Sequence, residues 1–156
     1  MTPIRRIFIA NRGEIAVRII RTCRALGIET VLGVSEADRD SLGARLATRA
    51  VCIGPASSAL SYLNVGAVVH AAKATGCDAI HPGYGFLSEN RALAEACAKE
   101  GLVFIGPSPD NLDAVGDKLT ARSHAQKAGV PLVPGADGAT AADADQLAEA
   151  IGFPML

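Results

Sequence analysis

The segment IFIANRGEIAVRIIRTCRALGIETVLGV, residues 7–34, decides the fold class of this chain. It begins with a short apolar run, residues 7–10, and ends with a second run rich in β-branched residues, 30–34. Between them lies a helical pattern from about residue 14 to 26, which Gly27 ends as a helix-terminating glycine does. A strand, a helix and a strand in this order predict a βαβ unit, and such units build parallel sheets.

The first predicted helix is amphipathic. At about 100° per residue, its apolar positions share one face and three arginines lie on the other. We expect the apolar face to pack on the sheet. Two interpretations of the arginine face stay open: simple solvation, or a contact between subunits, because arginine is enriched at interfaces. The apolar face comprises Ile15, Ala16, Ile19, Ile20, Cys23 and Leu26, and the other face Arg18, Arg21 and Arg24.

The alternation of short β-branched runs and longer helical patterns continues along the chain. It predicts an α/β fold, a Rossmann-like parallel sheet with helices on both faces. Ser88 or Asn90 would cap the fourth helix, and Asp117 would cap the second helix of a later helical pair. Further strands are predicted at 30–34, 50–53, 79–80 and 102–105, and further helices at about 42–48, 65–75, 91–99, 111–115, 117–129 and 141–150.

Residues 130–135, Val-Pro-Leu-Val-Pro-Gly, predict an extended, proline-stiffened boundary. We therefore expect a first domain over residues 1–130, and a linker with the start of a second domain over 131–156. The last four residues, 153–156, have the pattern of a strand that is just beginning. Because domains do not normally close on an unpartnered strand, we expect a truncated segment of a longer protein.

The composition is that of a globular protein and argues against several classes of function. Of 156 residues, 49% are hydrophobic and 20% charged, with a net charge of −1. This balance provides no basic surface for nucleic acid or an anionic membrane. Aromatic residues make up 4% and tryptophan is absent, so few side chains could stack on the bases of a nucleic acid. The first apolar run is too short for a signal peptide or membrane span, so we expect a cytoplasmic protein.

The cysteines show no zinc-binding spacing. Each stands among apolar or small residues, which predicts small buried side chains in a reduced cytosol. The sequence also contains no nucleophilic triad, no metal cluster and no Walker loop. The four cysteines are Cys23, Cys52, Cys77 and Cys97.

The tetrapeptide Asn11-Arg12-Gly13-Glu14 follows the first strand, where ligands bind in open parallel sheets. A dinucleotide-binding turn would carry three glycines there, but this one has a single glycine between bulky neighbours. A pyrophosphate could not approach the backbone closely, which argues against a dinucleotide site. A tight turn accounts for the segment without a ligand, with Glu14 favourable at the helix N-terminus.

The segment HPGYGFLSEN, residues 81–90, follows the fourth predicted strand. Glycines on both sides of Tyr84 permit a sharp turn that presents the aromatic ring at the surface. A flat apolar ring with one hydroxyl suits a ring-shaped ligand with polar edges. The alternative is a glycine-punctuated turn whose tyrosine packs on its own loop, with His81 as a satisfied structural histidine.

Lys118 falls in the first turn of a predicted helix, where the helix dipole disfavours a cation. A phosphate bound there would satisfy both the lysine and the free N–H groups. The alternative is a solvated lysine.

Taken in order, these segments resemble the opening part of biotin carboxylases. The motifs occur in the same order as in that family. The resemblance covers nearly the whole chain. Its motifs are IANRGEIAVR (9–18), ADRD (37–40), SYLN (61–64), IHPGYGFLSEN (80–90), FIGP (104–107), GDK (116–118), AGVP (128–131) and VPG (133–135).

The resemblance implies an ATP-grasp enzyme that carboxylates the ureido nitrogen of biotin on a carrier protein. It implies bicarbonate and ATP with Mg²⁺ or Mn²⁺, a carboxyphosphate intermediate, and ADP and phosphate as products. The implied partners are a biotin carboxyl carrier protein or domain, a carboxyltransferase component and a second copy in a homodimer.

By the same resemblance, Lys118 matches a lysine that contacts ATP, and Tyr84 and Gly85 match positions that line the biotin pocket. Arg18 and Arg21 lie on the helix that takes part in the homodimer contact of bacterial members.

By the resemblance, residues 131–156 are a linker and the beginning of the ATP-grasp lid, which starts after about Gly135. The implied catalytic residues, bicarbonate-binding arginines and metal ligands lie beyond residue 156, so we expect the chain alone to be inactive. One departure concerns positions 43 to 49, where the family commonly shows a histidine and an acidic pair and this chain has Gly43, Thr48 and Arg49. It bears on packing or specificity and not on the reaction.

Two other hypotheses stay open. The chain could belong to another ATP-grasp ligase with the same N-terminal fold, such as a urea carboxylase, which the following sequence would discriminate. It could also be a non-catalytic module for dimerisation or partner docking. That module would use Arg18 and Arg21 as its main contact and would bury Tyr84 without a pocket.

Overall fold

The computed structural model describes residues 3–133 and 144–152. They fall into two compact units, Met1–Leu112 and Asp113–Leu156. Among the described residues, no helix has both the length and the apolar character needed to cross a membrane.

In the described residues, strands and helices alternate up to β5, and the elements described after it are helices. Two short 3₁₀ turns, Glu36–Asp38 and Ser58–Leu60, were not expected from the sequence. The described strands are β1 (Arg6–Ile9), β2 (Glu29–Ser35), β3 (Arg49–Gly54), β4 (Ala79–His81) and β5 (Val103–Phe104). The described helices are α1 (Gly13–Ala25), α2 (Leu42–Leu46), α3 (Val65–Ala74), α4 (Arg91–Lys99), α5 (Pro109–Gly116), α6 (Lys118–Lys127) and α7 (Ala144–Ile151).

The five described strands form one sheet in the order β3-β2-β1-β4-β5, and all neighbours are parallel. Phe8 of the central strand β1 pairs with Val31 of β2 on one side and with Ile80 of β4 on the other. The predicted Rossmann-like parallel sheet is confirmed. Strand β5 has two residues where four were predicted, although the Ile105 N–H still donates to the Ile80 carbonyl at 2.9 Å.

Helices cover both faces of the sheet, as predicted. Successive residues of a strand point to opposite faces, so Phe8 packs with residues of α3 and α4, and Ile9 packs with residues of α1. The α3/α4 side holds Val68, Val69, Ala71, Ala72, Leu93 and Cys97, and the α1 side holds Ala16, Ile20 and Cys23.

The buried face of α1 differs from the prediction at its end. Ala16, Ile20 and Cys23 are buried, but Leu26 is 68% exposed. Its assignment to the packed face was wrong because α1 ends at Ala25. Leu26 is the C-cap of α1, so the spacing of 100° per residue that was used for the prediction no longer applies to it. The predicted glycine stop is confirmed, with Gly27 in the left-handed region at φ 70°.

The burial of the cysteines was predicted correctly for three of the four. Cys23, Cys77 and Cys97 are buried, whereas Cys52 is exposed, and all four are free thiols. The prediction failed at Cys52 because β3 pairs only with β2 and so forms an edge of the sheet. Local apolar neighbours do not reveal which strand becomes an edge.

In the second unit, Asp117 caps α6 as predicted, because its carboxylate accepts the backbone N–H of Thr120 at 2.7 Å. Helix α7 (Ala144–Ile151) confirms the helix predicted at 141–150 over residues 144–150, and residues 141–143 lie outside the described residues. Residues 134–135 of the predicted boundary and the predicted strand at 153–156 lie outside the described residues. The expected domain division at residue 130 stays a prediction.

Asn90, not Ser88, caps α4: its side-chain oxygen accepts the Leu93 N–H at 3.0 Å. We predict that Asn90→Ala lowers the free energy of unfolding by about 1 kcal/mol, because that N–H loses its partner. Urea denaturation of the chain measures the change. Asn90→Asp keeps an acceptor and is the control. Equal losses in both variants would contradict a capping role.

Candidate functional site

Two loops meet at the carboxyl edge of the sheet. Strands β1 and β4 are adjacent and parallel, so the residues that follow them leave the sheet side by side. The first loop leads through Asn11 and Arg12 into α1. The second, called the Tyr84 loop here, consists of residues 82–86. Both belong to the first compact unit.

Asn11 joins the two loops. Its side chain is buried, and its amide nitrogen Nδ2 donates to the carbonyls of Pro82 at 2.7 Å and Tyr84 at 2.9 Å. Its Oδ1 accepts the backbone N–H of Arg12 at 2.9 Å. Both amide donors and the acceptor are therefore used. The Tyr84 loop is thus held by a residue 71 to 73 positions away in the sequence.

The backbone of the Tyr84 loop is mostly left-handed. Gly83 and Gly85 both have φ 68°, and Phe86 has φ 43°. Glycine adopts this region freely, but Phe86 needs support from its surroundings. The Phe86 ring has that support, because it stacks on the ring of buried Tyr62 with centroids 5.1 Å apart.

His81, the last residue of β4, makes a structural hydrogen bond. Its Nδ1 accepts the backbone N–H of Gly83 at 3.0 Å. Burial lowers the pKa of His81, which favours the neutral imidazole. The bond needs this form, because a protonated Nδ1 would be a donor facing another donor.

Arg12 lies over two aromatic rings. Its guanidinium carbon is 5.6 Å from the ring centroids of both Tyr62 and Phe86, within the range of a cation–π contact. Its Nη1 is 3.5 Å from Oδ2 of Asp38. The charged group is therefore placed by two rings and one carboxylate.

Asp38 is the acceptor at the centre of a polar network. Its Oδ2 accepts the hydroxyl of Tyr62 at 2.7 Å and that of Ser35 at 2.8 Å. The Tyr62 hydroxyl in turn accepts the Ser35 backbone N–H at 3.0 Å. Burial by itself would raise the pKa of Asp38, but the two hydroxyl donors and Arg12 together lower it below its usual value.

We predict that Asp38→Asn lowers the free energy of unfolding near pH 7 by about 1–3 kcal/mol, because charge-assisted hydrogen bonds are lost. The lowered pKa gives the pH dependence. The Asp38 contribution is complete above the unfolded value of about 4 and is lost as pH falls through the folded value. Urea denaturation from pH 7 to 3 measures both effects. Exposed Asp40→Asn on the same loop is the control, and equal effects in both variants would contradict the prediction.

A cleft of about 510 Å³ opens at this edge of the sheet. Tyr84, Gly85 and Phe86 line it together with Asn11 and Arg12. Tyr84 is 70% exposed, so its ring is available to a ligand. This arrangement differs from the docking-module hypothesis, in which Tyr84 would be buried without a pocket.

A second groove, of about 520 Å³, runs along α1 and is mostly apolar. Arg18 lines it with Ile15 and Ile19, and Tyr84 lies at both this groove and the cleft. Arg21 is exposed on the same helix. The subunit contact expected through the two arginines stays a prediction.

Lys118 is the first residue of α6, in the second compact unit. Its side chain is exposed, and the helix N-terminus is capped by Asp117. The local placement expected for Lys118, the first turn of a helix, is therefore confirmed. Its contact with a nucleotide stays a prediction.

Sequence reasoning missed the roles of Asn11, Arg12 and Tyr62. Asn11 and Arg12 were interpreted as a tight turn, and Tyr62 was noted only as part of a motif. One signal pointed to Asn11: an amide residue directly after a buried strand must find partners for its donors. The sequence did not show which carbonyls would accept them.

The comparison with protein families gives one clear result. A profile described as "Biotin carboxylase, N-terminal domain" matches residues 3–112. Biotin carboxylase 1 of Bacillus subtilis is 54% identical over 155 residues, covering 98% of this chain and 34% of that protein. The chain thus spans about a third of the length of this curated relative.

Solved structures agree with this result. The biotin carboxylase–βγ-ATP complex of Campylobacter jejuni matches with a TM-score of 0.91 and 48% identity, over 97% of this chain and 34% of that one. The biotin carboxylase domain dimer of Hydrogenobacter thermophilus 2-oxoglutarate carboxylase, solved with MgADP and bicarbonate, matches with a TM-score of 0.90 and 40% identity, over 99% and 34%. The urea carboxylase of Kluyveromyces lactis matches with a TM-score of 0.82 and 44% identity, over 86% and 12%.

Proposed function

The chain belongs to the biotin carboxylase N-terminal domain family, and we propose that it forms the first part of an enzyme that carboxylates biotin. The observation that carries the proposal is 54% identity to a biotin carboxylase over 98% of the chain. The proposed reaction joins bicarbonate to the ureido nitrogen of carrier-bound biotin, with MgATP converted to ADP and phosphate through carboxyphosphate.

We place the biotin contact at the Tyr84 loop. The cleft there is large enough for a bicyclic ring, and the exposed Tyr84 and the backbone of Gly85 both line it. The loop is also held rigidly, through Asn11 and His81. A rigid, partly apolar cleft with a few polar groups is better suited to bind a ring-shaped ligand than a flexible one.

We assign ATP binding to Lys118. Its exposed ammonium group at the start of α6 would contact a phosphate directly, beside the N–H of Thr120 that Asp117 already caps. Among the described residues, no group of histidine, cysteine or acidic side chains could hold a metal ion. By the family resemblance, we place the Mg²⁺ ligands beyond residue 156, and we take residues 131–156 as a linker and the beginning of the ATP-grasp lid.

The proposed partners follow from the same family. A biotin carboxyl carrier protein or domain would bring biotin to the cleft, and a carboxyltransferase would use the carboxylated product. Arg18 and Arg21, both exposed on α1, would contribute to a homodimer contact, and the Hydrogenobacter domain is described as a dimer. We expect the enzyme to work in the cytoplasm.

A urea carboxylase is the second candidate, because the Kluyveromyces lactis enzyme has 44% identity and the same fold. Both activities would use bicarbonate and ATP, and they differ in whether urea is the final acceptor of the carboxyl group. The acceptor therefore decides between them.

The test is ADP release by the full-length enzyme that contains this chain, measured with free biotin or with urea as the acceptor. We predict stimulation by biotin and none by urea, and stimulation by urea would favour the second candidate. The 156-residue chain assayed alone should show no bicarbonate-dependent ATP hydrolysis. Detectable hydrolysis by the chain alone would contradict the assignment of the catalytic residues to the part of the enzyme beyond residue 156.

A further inference from the structure

We propose that Asn11 is a positioning residue for biotin: its buried amide fixes the peptide planes of the Tyr84 loop and thereby the groups that the loop offers to the ligand. The inference rests on the proposed function, because it takes the Tyr84 loop as the biotin contact. The sequence analysis interpreted Asn11 only as part of a tight turn, so its role in positioning biotin is new to the proposed site.

The first argument is the energetic cost of burying Asn11. A buried amide must have hydrogen-bond partners, and an apolar residue would avoid that requirement altogether. Asn11 uses both donors on carbonyls of one distant loop, at 2.7 and 2.9 Å. The two bonds connect the loops that follow the adjacent strands β1 and β4. They are not part of the backbone hydrogen bonding of the sheet, which already pairs these strands.

The second argument is the direction that these bonds impose. In a trans peptide the C=O and the following N–H point in opposite directions. Because the Tyr84 carbonyl points to Asn11, the Gly85 N–H points away from it. The Pro82–Gly83 peptide is held from both ends, its carbonyl by Asn11 and its N–H by Nδ1 of His81. Asn11 thus fixes the orientation of two peptides of the loop, Pro82–Gly83 and Tyr84–Gly85.

The third argument is close packing. A Cβ atom added to Gly83 would lie 2.7 Å from Nδ2 of Asn11 and 2.7 Å from Cγ2 of Ile15. The loop backbone therefore rests directly on the amide, and φ 68° at Gly83 permits this approach. A shift of the amide would be transmitted to the loop without a gap to absorb it.

The test uses steady-state kinetics of the full-length enzyme with free biotin. We predict that Asn11→Ala raises the KM for biotin by about tenfold or more, because a misplaced binding group costs at least that much. The KM for ATP should change by less than about twofold, since Asn11 acts on the biotin contact and not on the nucleotide. Asn11→Asp should behave similarly, because an acceptor-only carboxylate would face two carbonyls.

Three outcomes would overturn the inference. An unchanged KM for biotin would do so, as would a parallel change in the KM values for biotin and ATP, which indicates a merely structural role. If Asn11→Ala does not fold, Gly83→Ala displaces the same contact from the loop side and must raise the KM for biotin selectively. An unchanged value in that variant would also overturn it.

Variants of the loop itself separate this inference from the proposed function. If Tyr84→Ala raises the KM for biotin while Asn11→Ala leaves it unchanged, the biotin site stands and the role of Asn11 is refuted. If biotin stimulates neither the wild-type enzyme nor any variant, the proposed function has failed and the inference fails with it.

Discussion

Replacing Phe8 by alanine is expected to lower the free energy of unfolding by about 3–5 kcal/mol, the largest stability loss among the changes considered. Phe8 is fully buried in the central strand of the sheet. A Cβ atom added to Gly33 would lie 2.8 Å from the Phe8 ring, so the ring fills its space tightly. The variant loses the burial of the ring and leaves a cavity that close packing cannot remove.

Urea denaturation of the chain measures this loss, with Phe8→Leu as the matched control. Leucine retains most of the apolar volume, so its loss should be clearly smaller. If alanine and leucine destabilise the chain equally, or if alanine costs less than about 1 kcal/mol, the central packing of Phe8 would be contradicted.

The largest expected effect on ligand binding is at Lys118. Lys118→Ala in the full-length enzyme should weaken ATP binding by about 1–3 kcal/mol, which is about 5- to 150-fold in the dissociation constant. The reason is the loss of a charge-assisted contact at a helix N-terminus. Titration calorimetry with ATP measures the change directly.

Lys127→Ala is the control, because Lys127 is also exposed on α6 but lies at its opposite end. It should leave ATP affinity within about twofold of the wild-type value, since surface substitutions away from such sites are nearly neutral. Unchanged affinity in Lys118→Ala would remove this lysine from the nucleotide site.

The architecture could be predicted from local patterns alone. The run at 7–10, the helical period of α1 and the run at 30–34 specify a βαβ unit, and parallel βαβ units leave few arrangements open. Errors arose where a residue's surroundings depend on the assembled sheet. Cys52 has apolar neighbours in sequence, but its strand lies at an edge. Leu26 fits the helical period, but α1 has already ended.

The site was predictable only in part, for a similar reason. The Tyr84 loop was identified because glycine positions leave a local signal. The role of Asn11 depends on carbonyls more than 70 residues away. The network of Asp38, Tyr62 and Arg12 likewise joins three separate segments. Such contacts depend on the order of the strands in the sheet. Local sequence patterns limit that order, but they do not identify which distant residues come into contact.

The carboxylation of biotin is tested most directly by following radiolabelled bicarbonate in the full-length enzyme. With ATP, Mg²⁺ and free biotin present, we predict label in an acid-labile carboxybiotin, and its formation should cease when ATP or biotin is omitted. Label that appears only when urea replaces biotin, or no ATP-dependent label with either acceptor, would contradict the account.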